Sequence, residues 1–288
     1  MKENYKQILP KWFEEQTNNE LVLSNDLDSL LSCAILNQVN GWKVRYFYDF
    51  ENLYKSDKIS RIDKDKRVWV DVACLNGEKA FDNHVSCMNF SEIRQSNTIN
   101  PNNMCWITNE NYTDKYCGST ALLLWSLYDL PLPETEEGKM LLLTIDSTFL
   151  GYWNPKFEDK FRDRNKFFLC DVFGLEELYK VQERHTYDEF KEVQIKYGAN
   201  ANIAFADGRL HTMLDIDRIS EALGVELNIL EDDRFFLWTK YKIVEKRILG
   251  ERKVSEVSDD IFSLAFTYSR KARFSKEVPD DEWLWKDY

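Results

Sequence analysis

The sequence lacks paired cysteines. Its six cysteines, Cys33, Cys74, Cys87, Cys105, Cys117 and Cys170, contain no C-x-x-C spacing, and most lie in apolar segments. That excludes a zinc–thiolate framework and points to small buried side chains in a reducing compartment. No apolar run approaches the length of a membrane span, and the opening MKENYKQILPKWFEEQ has no apolar core of signal-peptide length, so the expected location is the cytoplasm, with no membrane partner. Positive charge is short as well: 38 basic side chains stand against 50 acidic ones, a formal net charge of −12. A field of that sign repels polyanions over the surface as a whole, which disfavours non-specific duplex binding and leaves room only for a local basic groove. Internal repeats and low-complexity linkers are absent too.

What is present is a chain of 288 residues, 43% hydrophobic, long enough for two domains that each bury a core. Leu21, Val22 and Leu23 read as a short buried strand, and Leu30, Leu31, Ala34 and Ile35 recur at helical spacing from Ser29 onward. Asn40-Gly41 supplies the stop, and Val44, Tyr46 and Tyr48 alternate as a second strand. Between the first strand and the helix stand Asp26 and Asp28, where open α/β sheets place their ligands. Further along, KRVWVDVACL and EKAFDNHVS read as strands that end near Asp71 and Asp82, and MCWIT as a short strand. DKYCGSTALLLWSLYDLPLP reads as a helix stopped at Pro131, and ETEEGKMLLLTIDSTFL as a helix that carries Asp146. GLEELYKVQERHTYDEFKEVQIKYG suits a long polar connecting helix. Beyond it NIAFADG, VELNIL, RFFLWTKYKIVE and IFSLAFTYSR are strand candidates, with RISEALG a helix between them.

The expected fold is therefore α/β. An N-terminal, open, mainly parallel sheet flanked by helices spans 1–190, and a smaller C-terminal α/β domain, 191–288, faces it across a cleft. Asp26, Asp28, Asp71, Asp82 and Asp146 share one context, each at the end of or within an apolar segment. Carboxylates gathered at adjacent strand ends repel one another unless cations neutralise them. Hard oxygen donors with an imidazole nearby suit Mn²⁺ or Mg²⁺, and such ions activate water against phosphorus. Singly, each aspartate has a plainer reading: Asp28 as the cap of the helix beginning at Ser29, Asp71 as a turn residue. Asp146 on an apolar helix has none.

Two known families carry comparable motifs. LVLSNDLDSLL is similar to the haloacid-dehalogenase phosphatase signature, but Leu30 stands where that signature has a threonine. The stronger resemblance is to the DHH phosphoesterase superfamily, through four motifs in the family's order. NDLDSLLSCAIL resembles the first, VWVDVA the second, FDNHV the third and LLLTIDSTF the fourth, with GSTALLLWSLYDLPLP resembling the helix between the last two. The resemblance implies Asp26, Asp28, Asp71, Asn83 and Asp146 as metal ligands, Asp71 bridging two positions. It also implies that His84 contacts or protonates the substrate phosphate, with Asp82 orienting it.

The departures are as specific as the matches. Val22 and Ser24 stand where the family has a further ligand of the first metal, and Asn83 replaces the middle histidine of the third motif. The expectation is one Mn²⁺ or Mg²⁺ bound well and a second weakly. Arg270, Lys271 and Arg273 in TYSRKARFS, after an alternating apolar run, are the candidates for holding a substrate phosphate. The function expected is metal-dependent hydrolysis of a phosphodiester, oligonucleotide or nucleotide. The alternative is a relative impaired in catalysis that binds single-stranded nucleic acid or a protein partner.

Overall fold

The computed structural model describes the chain except Gln16, Asn76, 155–157, 230–232, 280, 281 and 283–288. The first strand, β1 (Glu20–Leu23), has Leu21, Val22 and Leu23 fully buried, so its apolar run is covered on both faces. The helix after it, α1 (Leu27–Asn40), begins two residues before the apolar spacing shows, because Asp26 caps it by accepting the Ser29 N–H at 3.0 Å. Gly41 closes α1 at φ 72°, a left-handed conformation that a residue with a Cβ adopts at a cost. The chain returns as β2 (Lys43–Tyr48), then β3 (Asn52–Ser56), β4 (Arg67–Val70), β5 (Lys79–Phe81) and β6 (Thr98–Ile99).

These strands belong to one nine-stranded sheet ordered β10-β11-β9-β3-β2-β1-β4-β5-β6, where β9 is Phe235–Arg247, β10 Ile261–Tyr268 and β11 Lys271–Glu277. The block β2-β1-β4-β5-β6 is parallel, and β3, β9, β11 and β10 join antiparallel. A two-stranded hairpin, β7 (Ile203–Ala206) with β8 (Arg209–Thr212), stands apart, its Phe205 ring stacked 4.0 Å from Tyr54. The expected boundary at 190/191 falls inside a helix, Tyr187–Lys196, and β9 to β11 extend the sheet that β1 begins. Among the described residues no helix is long and apolar enough to cross a membrane.

The sheet curls until its far edge meets the loops after β4 and β5. Leu264 N–H of β10 donates to the Ala73 carbonyl and Leu75 N–H to Phe262, both at 2.9 Å, and Phe266 N–H donates to Val85 at 2.9 Å. An exposed edge is thereby covered, and the C-terminal hairpin becomes a wall beside the loops that follow Val70 and Phe81. Helix α1 packs on the sheet, α2 (Thr120–Leu127) packs against α1 and is buried along its whole length, and α3 (Glu136–Thr144) packs among the helices that follow it. All six cysteines are free, and Cys33, Cys74 and Cys87 are buried.

Four local expectations are corrected. MCWIT is no strand: Asn100 caps a helical turn, Pro101–Met104, and Trp106 then turns at φ 57°. VELNIL forms no strand over its described residues 225–229. Val225 and Leu227 are buried, but Leu227 N–H bonds the Ser220 hydroxyl rather than a neighbouring strand. The long polar helix is two, Glu176–Arg184 and Tyr187–Lys196, because Thr186 and Glu189 form a capping box between them. Asp146 is not on the α-helix, which ends at Thr144, but in the 3₁₀ segment Ile145–Gly151, whose backbone turns left-handed at Asp146 and Ser147.

Candidate metal centre

The two aspartates of the NDLD stretch do different work. Asp26 caps its own helix, α1, and stays half-exposed. Asp28, buried to 3% exposure, points away from its helix start and caps α2 instead. It accepts the Thr120 and Ala121 backbone N–H groups, one on each carboxylate oxygen, both at 2.7 Å. The plainer reading, Asp28 capping the helix that begins at Ser29, is therefore replaced: Asp26 holds that position, and Asp28 serves the positive end of a second helix. Thr120 then passes the constraint on, its hydroxyl donating to Asp71 Oδ1 at 3.0 Å.

Asp71 follows β4 at φ 60° and Asp146 follows α3 at φ 48°, so both carboxylates sit on left-handed backbone. Such conformations cost of order 1–3 kcal/mol each and persist where surrounding structure enforces them, often at functional sites. Asn83 lies against Asp146. Its Nδ2 donates to Asp146 Oδ2 at 2.9 Å and to the Gly118 carbonyl at 2.6 Å, while its Oδ1 is buried with no partner among the described residues.

Asp82 is fully buried and saturated. Its Oδ1 lies 2.7 Å from His84 Nδ1, and its Oδ2 accepts the His84 N–H at 3.1 Å and Asn100 Nδ2 at 2.9 Å. The histidine ring is thereby fixed through Nδ1, leaving Nε2 to face outward from a side chain that is 43% exposed. Asn100 and Asn102 escape a reading based on carboxylates. Asn100 also donates to the His84 carbonyl and Asn102 to the Asn83 carbonyl, both at 2.7 Å, so the loop 82–84 hangs on two buried amides. The signal was the run Asn100-Pro101-Asn102-Asn103, where asparagine before a proline opens a helical turn.

Charge confirms that these groups share one place. Burial first, then the charges of Asp71, Asp146 and Asp26, push Asp28 well above the usual carboxylate range. Burial and then Asp26 do the same to Asp71. Enclosure by the surrounding chain likewise raises Asp26 and Asp146, even though Asp26 is only partly covered and Asp146 keeps an exposed face, and His84 opposes both shifts. For His84, burial works against protonation, but Asp82, by charge and by hydrogen bond, together with Asp71 and Asp146, pushes it up to about 9. Carboxylates that hold protons this tightly are short of positive charge.

Ligand atoms of Asp71, Asp82 and His84 all lie within 4.8 Å of one another, a convergence that could hold a metal ion. With the orphaned amide oxygen of Asn83 and the carboxylate of Asp146 alongside, the donors are oxygen-rich and anionic and fit a hard divalent cation. The convergence is not the set that the motifs imply. Asp82 joins it, although His84 and Asn100 engage its oxygens, and Asp28, whose oxygens each hold a backbone donor, does not.

Asp71, Asn83, His84 and Asp146 open onto a cavity of about 520 Å³, within the range of roughly 300–1,000 Å³ common for small-molecule sites. Of the three basic candidates, Arg273 lines this cavity. Lys271 is turned to Glu245 at 2.6 Å, and Arg270 lies exposed in the β10–β11 turn; neither lines the cavity. Lys115, missed by the sequence reading, lines it too. Burial opposes the charge of Lys115, but Cys117, Tyr112 and Asp146 outweigh it and raise its pKa, so it stays an ammonium. Tyr112 donates its hydroxyl to the Thr267 carbonyl at 2.9 Å and ties this loop to β10. Comparison with protein-family models, with curated proteins and with solved structures found no match.

Proposed function

We propose that this chain is a metal-dependent phosphoesterase of DHH type that hydrolyses a phosphodiester of nucleotide size, with Mn²⁺ or Mg²⁺ held at Asp71, Asp146 and the side-chain amide oxygen of Asn83. The observation that carries this reading is the pairing of opposites in one cavity. Crowded, proton-hungry carboxylates lie on one wall, with Lys115 and Arg273 on the same lining. Carboxylates bind cations, fixed cations bind phosphate oxygens, and a phosphoester bridged between them satisfies both. When bound, the metal would polarise a phosphoryl oxygen and lower the pKa of water.

The chain's own side chains have separable tasks. Arg273 and Lys115 neutralise the non-reacting phosphate oxygens. Asp82 holds His84 by Nδ1, so that Nε2–H is presented to the phosphate or its leaving oxygen. Thr120, anchored by the Asp28-capped helix, fixes the Asp71 carboxylate. The wall built from β10 and β11 supplies the part of the proposed fold that faces the first 190 residues. A second reading has one observation in its favour. Asn83 Nδ2 donates to Asp146, so a hydrogen bond joins two residues that the motifs assign to metal. A protein that binds the phosphate ligand without turnover would keep that bond.

The test is Mn²⁺-dependent release of nucleotide from a panel of linear dinucleotides, cyclic dinucleotides and short single strands. Turnover that Asp71→Asn abolishes and that Arg273→Ala slows at least about tenfold supports the enzyme. No turnover on any of them, with ligand still bound in an Mn²⁺-dependent way, selects the binding protein. Turnover that survives Asp71→Asn rejects the site.

A further inference from the structure

Ser147 follows Asp146 on the cavity wall and shares its left-handed backbone, at φ 53° beside φ 48°. Two such residues in succession are unusual, because L-residues enter this region singly and at a cost. Aspartate is one of the few side chains that adopts it routinely, and serine is not. Glycine adopts it freely. The chain therefore carries a serine where glycine is better suited to the backbone, and the hydroxyl has to account for that.

The surroundings of that hydroxyl are an independent observation. Its partner is Gln194, 2% exposed on the helix Tyr187–Lys196, and the amide of Gln194 can face only one way. Oε1 accepts from the Lys191 ammonium at 2.8 Å, and an ammonium only donates. Nε2 donates to the Thr144 carbonyl at 3.2 Å, and a carbonyl only accepts. The other Nε2 proton goes to Ser147 Oγ over a long 3.4 Å. Ser147 is thus the acceptor in that bond, and its own proton has no acceptor among the described residues. So long a bond is a weak reason to hold serine on strained backbone. The uncommitted O–H belongs instead to the lining that also carries Lys115 and Arg273. A neutral donor on a wall with two fixed cations is complementary to an oxygen-rich anion.

We propose that Ser147 donates its hydroxyl proton to a phosphoryl oxygen of the bound phosphoester, as a third donor with Lys115 and Arg273, and that the left-handed turn is kept in order to aim it. This rests on the phosphoester reading. It goes further because neither charge nor motif singles out Ser147, and because it gives the two residues of one turn separate tasks. Asp146 serves the cation, and Ser147 serves the substrate.

The test compares Ser147→Gly with Ser147→Ala in the full chain, by Mn²⁺-dependent turnover of the dinucleotide and single-strand panel, by calorimetric titration with Mn²⁺ and by thermal melts. Both variants lose the hydroxyl, and only the alanine variant keeps the strain. Each is expected to lower kcat/KM at least about tenfold, the worth of a hydrogen bond to a charged oxygen, with Mn²⁺ affinity within about twofold of wild type. The glycine variant should melt as high as wild type or roughly 1–3 °C higher, and the alanine variant no higher than wild type. Where wild type binds a member of the panel without turnover, its affinity is read in place of kcat/KM. A smaller loss in either variant overturns the Ser147 contact and leaves the phosphoester reading standing. Mn²⁺ affinity that falls in step with turnover also overturns the contact, since Ser147 would then act through Asp146. So does a glycine variant that melts below wild type, which would make the side chain structural. A wild type that neither turns over nor binds any member of the panel rejects the phosphoester reading, and this contact with it.

Discussion

Asp71→Asn should have opposite effects with and without metal. Asparagine tolerates the left-handed backbone that Asp71 adopts, and its amide oxygen can still accept from Thr120, so the local structure has little reason to change. What changes is charge. At 4.8 Å, the outer limit of the Asp71–Asp82–His84 convergence, two unit charges interact by about 3.5 kcal/mol at an effective dielectric constant near 20. Among the charges, Asp26 acts most strongly on Asp71, and His84 opposes it more than Asp82 supports it. Asp26 and Asp146 both repel the Asp71 charge. Allowing for distance and partial protonation, the variant should gain on the order of 1–2 kcal/mol in chelator, a rise in melting temperature of roughly 2–5 °C for a chain of this size. Wild type should recover more than that with Mn²⁺: ligand at a hundred times its dissociation constant stabilises by about 2.7 kcal/mol. The variant should gain almost nothing. Paired thermal melts in EDTA and in millimolar Mn²⁺ read both signs at once. A variant that melts lower than wild type in EDTA, yet gains as much from Mn²⁺, would refute the metal assignment of Asp71.

Asp28→Asn should behave in the contrary way. Its two oxygens each hold a backbone N–H at the start of α2, and an amide can satisfy only one of them, so a loss of about 2–4 kcal/mol is expected in EDTA and Mn²⁺ alike, measured by urea unfolding. A stabilised Asp28→Asn would mean that charge crowding outweighs the cap. The metal-free protein should lose stability as pH rises. Asp26, Asp28, Asp71 and Asp146 are raised above their ordinary values and His84 from 6.5 to about 9, so each of these five groups binds protons more tightly when folded. The contribution of these five groups is complete below their unfolded values and lost as pH climbs through the folded ones. Melts in EDTA should therefore fall between pH 5.5 and 8.5, and Mn²⁺ should flatten the slope; a slope unchanged by Mn²⁺ would show that the cluster is not where the ion binds. Asn83→His should tighten Mn²⁺ binding, since an imidazole is a better ligand than a neutral amide, and a loss by titration would show that the bonds to Gly118 and Asp146 matter more.

How much of this was legible depended on how local the cause was. β1, α1 and β2 follow from apolar spacing and from Gly41, and the structure has them close to where the sequence puts them. The strand ends carrying Asp71 and Asp82 were also readable, because a short apolar run followed by aspartate is a local pattern. Asp146 was found for the wrong reason. It was read as an intruder on a helix, but the helix has ended, and a left-handed pair of residues carries it to the cavity. Periodicity cannot show that turn, since nothing in LLLTIDSTF breaks the apolar pattern before it.

The basic residues show the limit most clearly. Arg270, Lys271 and Arg273 are neighbours in sequence and looked equivalent, yet β11 sends Lys271 to Glu245 and leaves Arg273 on the cavity wall. Which of them matters is set by how far the sheet curls, and that is decided by contacts between residues almost two hundred positions apart. The same curl gives the C-terminal hairpin its meaning. Leu264 and Phe266 donate to the carbonyls of Ala73 and Val85, in the loops that follow Asp71 and His84. The strand that lines the cavity is therefore also the strand that braces the loops of the candidate metal centre. Weakening β10 should loosen Asp71 and His84 before it loosens β1, because those loops take part of their order from an edge that reaches them last along the chain.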